Sequence, residues 1–317
     1  MYLYTEQRNF EDIIKYSYQA FGVTVASQIP LPELKPYYGP RSPDVNVNIG
    51  KVFMGRGETG ESKGYYQGEK ELLLFRIKDV GSYRIKNGRE IVIEPAENAE
   101  IREVRLYLLG FAFGALLWQR GILPVHGSAV KTKESCFIIT GGKKAGKSTL
   151  AAAFVEDGYE ILTDDIAPVY FDREGNPWVY PSYPQQKLWK ESLELLGKTA
   201  VSFSRITERT KKYAVKLRDG FCQGPQRVTA IYEIKKADCQ RVTLSQLYGL
   251  DKLDLIMNNV YRYEFAEVMG CKEQLFRQAH ALAQKVNVSR MTRPGNLLTI
   301  NEEKMHLVRD LTNKGEL

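Results

Sequence analysis

The sequence predicts an α/β domain preceded by a small β-rich module, and three observations carry that prediction. Short alternating apolar runs, separated by proline and glycine clusters, fill the first hundred residues. From residue 122 onward, strand-like and helix-like stretches take turns. Within that second part an apolar run, a glycine-rich loop and an apolar helix follow one another without a gap. The expected division is a β-rich module over 1–98 and an α/β domain over 99–317.

In chain order, Phe21–Ser27 alternates, and Pro30, Pro32, Pro36 and Pro40 then break any regular element. Asp44–Gly50 alternates again. Met54–Gly68 is polar with five glycines, which predicts a loop or a long hairpin connection. Leu72–Arg76, Ser82–Lys86 and Glu90–Glu94 form a meander, with Asn87-Gly88 as a hairpin turn. Ile101–Arg120 is too densely apolar for one amphipathic stripe, so it is expected to be a helix buried on most sides and stopped by Gly121. Strands are then expected at Val125–Val130, Cys136–Thr140 and Glu160–Thr163, with a helix at Lys147–Glu156. Beyond these, Trp189–Leu196 reads as a short helix and Arg227–Lys236 as a strand. Thr243–Val268, Lys272–Lys285 and Glu302–Thr312 read as helical.

Composition narrows the function classes. The chain has 317 residues, 43% of them hydrophobic and 26% charged, which excludes wholesale disorder and supports a sizeable core. With 45 Lys plus Arg against 38 Asp plus Glu, the net charge of +7 is modest. No aromatic-interleaved basic module accompanies it, so a nucleic-acid partner is not expected. The apolar run Leu106–Trp118, 13 residues, is too short to span a bilayer, so no membrane partner is expected either. The start, MYLYTEQRNFEDIIKY, lacks a basic region followed by an apolar one. Cys136, Cys222, Cys239 and Cys271 form no C-x-x-C pair, which fits a reducing compartment and gives no zinc site. A cytoplasmic location is the expectation.

The chemistry concentrates in three places. Gly141-Gly142-Lys143-Lys144-Ala145-Gly146-Lys147-Ser148 is a full G-x-x-x-x-G-K-S between a strand and a helix. Loop N–H groups and a helix N-terminus make a nest for phosphate. In such a loop Lys147 is expected to neutralise β and γ oxygens, and Ser148 to supply a hydroxyl to Mg²⁺. Next comes Thr163-Asp164-Asp165-Ile166, at the end of the strand after that helix. One carboxylate can organise Mg²⁺ while the other takes a proton from an attacking hydroxyl; a turn role for either is the plainer alternative. His126, in Pro124-Val-His-Gly-Ser128, lies at a strand edge just before the loop strand. A basic stretch, Lys198–Arg227, sets Lys198, Arg205, Arg209, Lys211, Lys212, Lys216, Arg218 and Arg227 against Glu208 and Asp219. It is either a mobile loop that closes over a triphosphate or a solvated connection.

Together, His126-Gly127, the loop Gly141–Ser148 and Asp164-Asp165 after Gly158-Tyr-Glu-Ile-Leu-Thr163 resemble the bacterial HPr serine kinase/phosphorylase family. The resemblance covers about residues 122–170. It implies a phosphoenolpyruvate-carboxykinase-like P-loop kinase domain using ATP and Mg²⁺. It also implies that His126, Lys147 and Asp165 are active-site residues, with Asp165 the proton acceptor. Residues 141–148 with Thr149 then contact the nucleotide, Ser148 binds the metal, and Asp164 is the metal-side carboxylate. The chain departs from the family at Lys144, where a glycine is usual, and only Glu191 stands near the place of the family's second metal-binding Glu. Phe21-Gly-Val-Thr-Val-Ala-Ser, Leu31-Pro-Glu-Leu34 and Gln186-Lys-Leu-Trp189 look closer to a divergent branch that phosphorylates lasso-peptide precursors. On that resemblance the expected partner is a peptide or small protein with an acceptor serine, in the divergent branch at its C-terminus; the related family forms homo-oligomers, while this chain's own oligomeric state is not readable from the sequence. Three rivals remain open: an HPr-type kinase/phosphorylase of carbon metabolism, a non-catalytic nucleotide-binding module, and a small-molecule kinase.

Overall fold

The structure, a computed structural model, describes residues 16–40, 42–53, 65–207, 210–295 and 299–317. Eight strands come first: β1 (Tyr16–Ala20), β2 (Val23–Ser27), β3 (Lys35–Pro36), β4 (Val45–Ile49), β5 (Tyr65–Glu69), β6 (Leu72–Ile77), β7 (Gly81–Lys86) and β8 (Glu90–Pro95). They make one sheet in the order β3-β1-β2-β4-β8-β7-β6-β5. Two of its hairpins turn on a pair of residues with positive φ. Asn87-Gly88, at φ 56° and 60°, reverses β7 into β8 as expected. Phe21-Gly22, at φ 54° and 82°, does the same for β1 and β2. That second turn corrects the sequence expectation of one strand over Phe21–Ser27, because the alternating pattern there is strand only from Val23. Tyr65–Glu69 is likewise strand rather than loop; the rest of the expected loop, 54–64, lies outside the described residues.

The chain then runs helically through α1 (Ile101–Tyr107), a π-helical turn at Leu108–Ala112, and α2 (Phe113–Gln119). Gly121, at φ 72°, ends it. Phe113, Ala115, Leu116, Leu117 and Trp118 are fully buried, so this helix is the apolar hub of the molecule. One continuous cluster joins it to Tyr83, Ile85 and Ile93 of the first sheet and to Leu123, Ile138 and Ile231 of the second. The Trp118 indole N–H donates to the Tyr261 carbonyl at 3.2 Å.

The second part holds β9 (Leu123–Lys131), β10 (Cys136–Gly141), α3 (Lys147–Glu156), β11 (Ile161–Thr163), β12 (Ile166–Phe171) and β13 (Pro177–Val179). Then come β14 (Gln185–Trp189), α4 (Lys190–Leu195), β15 (Ser204–Arg205), β16 (Lys212–Lys216), β17 (Gln226–Ala237) and β18 (Thr243–Gln246). The chain finishes with α5 (Gly249–Asn258), α6 (Tyr263–Val268), α7 (Lys272–Lys285), β19 (Asn287–Pro294) and α8 (Ile300–Asn313).

Strand pairing in this part closes on itself: β10 pairs with β9, β9 with β12, β12 with β13, β13 with β17, and β17 with β10. Strand β9 serves three partners, β11 pairing with Ala129 and Val130 beside the two main ones. Its first half, to His126, pairs with β12, and its second half, from Gly127, pairs with β10. β19 adds parallel to β17, and β18 adds to β19. A separate sheet, β14-β16-β15, stands beside α3.

Three expectations change here. Thr243–Val268 is not continuous helix, because Thr243–Gln246 extends along the free edge of β19 and the helices begin only at Gly249. The short helix starts at Lys190, since Gln185–Trp189 is drawn out by pairing with β16. The basic stretch contributes β15, β16 and the start of β17 between irregular segments, with Glu208 and Arg209 outside the described residues. No helix among the described residues is long and apolar enough to cross a membrane.

Candidate active site

The glycine loop leaves β10, every residue of which is buried, and enters α3. Gly141 has φ 136°, and a Cβ on it would lie 2.4 Å from the Ile234 carbonyl of β17, so no side chain fits. Gly146, at φ 118°, turns the chain into α3, whose start no side chain caps. The first N–H groups of α3 and its dipole are therefore left for an anion. Lys144, between them, is held at φ 62°. The buried Lys147 ammonium donates to the Gly141 carbonyl at 2.8 Å and the Gly142 carbonyl at 3.1 Å. Burial lowers its pKa, against the attraction of Asp165 and Asp164. Residues Lys143, Lys144, Ala145, Gly146, Lys147, Ser148 and Thr149 line a cleft of about 690 Å³, whereas the buried Gly141 and the exposed Gly142 do not.

The two adjacent aspartates part company. Asp164 is 4% exposed and absent from the cleft wall. Its Oδ1 accepts from the Ser128 hydroxyl at 2.7 Å and its Oδ2 from the Lys187 backbone N–H at 2.8 Å, so both oxygens are committed to pinning β9 to β14. Asp165 lines the cleft. Its φ of 92° is a conformation that costs an ordinary residue about 1–3 kcal/mol. Lys187 Nζ donates to its Oδ2 at 3.0 Å. Burial pushes the Asp165 carboxyl upward, but Lys187 and His126 outweigh it and hold the group far below the ordinary carboxylate range. Asp165 is therefore ionised at neutral pH.

His126 is the last residue of β9 paired with β12, opposite Ile166. Its backbone N–H donates to the Asn259 carbonyl at 2.8 Å, and its ring lies 5.7 Å from that of Tyr261. Nδ1 stands 3.0 Å from the Asp165 carbonyl and 3.6 Å from Asp165 Oδ1. A carbonyl only accepts, so the network assigns the proton to Nδ1 and leaves Nε2 as the ring's acceptor. Burial lowers the His126 pKa, opposed by the Asp165 charge, and the ring is neutral at pH 7.

The motif reading missed three groups. Lys187, 8% exposed, is the cation that fixes Asp165; it was visible only as part of Gln186-Lys-Leu-Trp189. Trp189, two residues on, carries the ammonium groups of Lys144 and Lys212 over its ring at 5.5 and 5.3 Å. Lys211 and Lys212 of the basic stretch thus reach the cleft. On the opposite wall, Arg293 of β19 donates to the Ala145 carbonyl through Nη2 at 2.9 Å and ion-pairs with Glu303 at 3.3 Å. Neither residue carries any local motif.

Among the described residues no three His, Cys, Asp or Glu side chains come together to hold a metal. Among the side-chain oxygens that line the cleft are the Ser148 hydroxyl, the Asp165 carboxylate, the exposed Glu191 at the start of α4 and Glu303 on the far wall. That sparse donor set fits Mg²⁺, which keeps most of its shell in water and substrate phosphate.

No known protein family's sequence profile matches the chain, and no curated protein matches it. Among solved structures, the chain is similar to the Hpr(Ser) kinase/phosphatase from Coxiella burnetii at 13% identity and a TM-score of 0.31, over 60% of this chain and 98% of that one.

Proposed function

We propose that the protein is an ATP- and Mg²⁺-dependent kinase that phosphorylates a hydroxyl, in its finest form the C-terminal serine of a lasso-peptide precursor. One observation carries the reading: an ionised carboxylate, Asp165, stands in the same cleft as a phosphate-type loop whose lysine is already buried under it. Phosphoryl transfer needs little covalent help, so positioning and charge neutralisation account for most of the catalysis. The loop N–H groups and Lys147 take the β and γ oxygens, with Lys144 and Lys212 adding positive charge across Trp189. Ser148 would offer its hydroxyl to Mg²⁺, which when bound would neutralise phosphate charge. Asp164, expected as the metal-side carboxylate, has both oxygens taken by Ser128 and Lys187 and does not line the cleft. Asp165 takes the acceptor's proton as its oxygen attacks, and the pair with Lys187 gives way to the incoming hydroxyl. His126 holds the Asp165 main chain, and Asp164 is a positioning residue that locks β9 to β14.

A peptide end as acceptor is supported by a second cavity, about 230 Å³, that shares the Lys187 side chain as a wall. Arg102, Arg105, Arg205 and Lys216 line it against one acid, Glu33, a balance suited to a carboxylate next to the reacting hydroxyl. The test is phosphopeptide formation from ATP, Mg²⁺ and a serine-terminated peptide, read by mass spectrometry beside ATP binding by calorimetry. Wild type forms product; Asp165→Asn still binds ATP but loses about 10²- to 10⁴-fold in transfer. Equal transfer by both removes Asp165 as base. ATP binding by wild type with no transfer to any hydroxyl favours the binding-module reading.

A further inference from the structure

Glu303 lies in the first turn of α8, 2% exposed, in the cleft wall across the glycine loop from Asp165. Its Oε1 is engaged: the Thr299 hydroxyl donates to it at 2.6 Å and Arg293 Nε stands 3.3 Å away. Its Oε2 is buried without a hydrogen-bond partner among the described residues. Buried carboxylate oxygens nearly always have donors, so one left over in a ligand-sized cleft points to a donor on the ligand. Arg293 ties this corner to the loop, because Nη2 and Nε both donate to the Ala145 carbonyl, at 2.9 and 3.2 Å. Glu303 and the phosphate nest are thus set in one frame.

The direction of transfer says what reaches this corner. In an in-line displacement the acceptor enters on one side of the γ-phosphorus and the rest of the nucleotide leaves on the other. The acceptor side is that of Asp165, over β9 and β12, which flank β10 on one edge. On the other edge of β10 lie β17 and then β19, with Arg293 and the approach to α8. The nucleoside therefore extends toward Lys236, Arg293, Thr299, Ile300 and Glu303. Trp189 is the rival platform for a base, but it follows Lys187 on the Asp165 side, and two ammonium groups already stand over its ring.

We infer that Glu303 reads the nucleoside of the phosphoryl donor, its Oε2 accepting a hydrogen bond from a ribose hydroxyl or an exocyclic amine. The inference rests on the kinase reading above and deepens it. Calorimetry with Mg²⁺ present compares ATP, 2′-deoxy-ATP, 3′-deoxy-ATP, inosine triphosphate and inorganic tripolyphosphate. Wild type binds ATP at least about tenfold more tightly than one of the three analogues that lack a donor, and that analogue distinguishes ribose from base. Glu303→Met, which removes the acceptor, abolishes this preference while tripolyphosphate affinity stays within about twofold, a pattern that a merely structural glutamate does not produce. Glu303→Gln, an isosteric neutral acceptor, falls between the two and decides the matter if the methionine variant no longer binds tripolyphosphate. Wild-type preferences retained in the variants overturn the inference. Equal wild-type affinity for ATP and tripolyphosphate overturns it too and leaves the kinase reading standing, whereas binding of neither sinks both.

Discussion

The two walls of the cleft each hold a carboxylate beside a cation, yet the environments drive those carboxylates in opposite directions. On the β9–β12–β14 wall, Asp165 has Lys187 at 3.0 Å and His126 behind it, and it is held far below the carboxylate range. On the β19–α8 wall, Glu303 has Arg293 at 3.3 Å, but burial dominates and raises its pKa. Arg293 divides its donors between Glu303 and the Ala145 carbonyl, whereas Lys187 aims its ammonium at Asp165. A neighbouring cation does not by itself decide ionisation; what matters is how much of its hydrogen bonding the carboxylate receives.

The largest effect expected from this contrast is on stability. Lys187→Met leaves the Asp165 charge without its main partner and costs about 3–5 kcal/mol, the scale for breaking a buried pair. Glu303→Gln removes a carboxylate whose second oxygen is unpaired, so it changes stability little or raises it. Urea denaturation of both variants checks this, and equal losses would break the contrast.

Acid sensitivity sharpens it further, at no more than about 1.4 kcal/mol per pH unit for one group. The folded pKa of His126 lies below its unfolded 6.5, so the unfolded chain binds the extra proton and stability falls as pH drops from 6.5 toward the folded value. Asp165 adds a loss of the same sign only below its unfolded pKa of 3.8. Glu303 acts oppositely, because its folded pKa lies above 4.5 and stability rises as pH falls toward that value. Melting scans between pH 4.5 and 6.5 should therefore flatten in His126→Gln and steepen on acidification in Glu303→Gln. Parallel curves for wild type and both variants would contradict the assignment.

The smallest effect concerns the loop between the walls. Lys144 is held at φ 62°, where a Cβ costs about 1 kcal/mol. Lys144→Gly should raise stability by up to about that amount while weakening affinity for tripolyphosphate, since it removes one of the two ammonium groups over Trp189. A variant that is less stable and binds as before would show that the lysine serves the fold.

That same residue shows how far the sequence could be read. The strand, loop and helix around Gly141–Ser148 were legible because their constraints are local: an apolar run, a position where only glycine fits, and a helix start. Lys144 stood out within the loop too, and the structure holds it at φ 62°, a left-handed backbone that favours glycine. His126 and Asp165 were found together, although nothing in the alternation of a strand announces the positive φ that turns Asp165 out while Asp164 stays in. Lys187 was quoted without a role because its position depends on the register of β14 against β16, Lys187 opposite Ala214. Arg293 meets Ala145 across 148 positions, a contact that only the parallel pairing of β19 with β17 creates. Thr243–Gln246 misled because a short exposed edge strand has no buried face to impress a period of two on the sequence.

Strand β9 is a single rigid member shared by β12, β10 and β11, with Ile166 opposite His126 and Thr140 opposite Gly127. Its central glycine leaves no slack, since a Cβ there would lie 2.5 Å from the Ile139 carbonyl. The histidine and the root of the glycine loop therefore form one stator and cannot open like a jaw. The β14-β16-β15 sheet is tied to that frame through Asp164 and Asp165, through Thr149 against Ser192, and through Ala152 of α3 packed on Leu188, Tyr213 and Val215. Lys187 of β14 pairs with Asp165 at that junction, so its ammonium is the charged link between the rigid frame and the sheet.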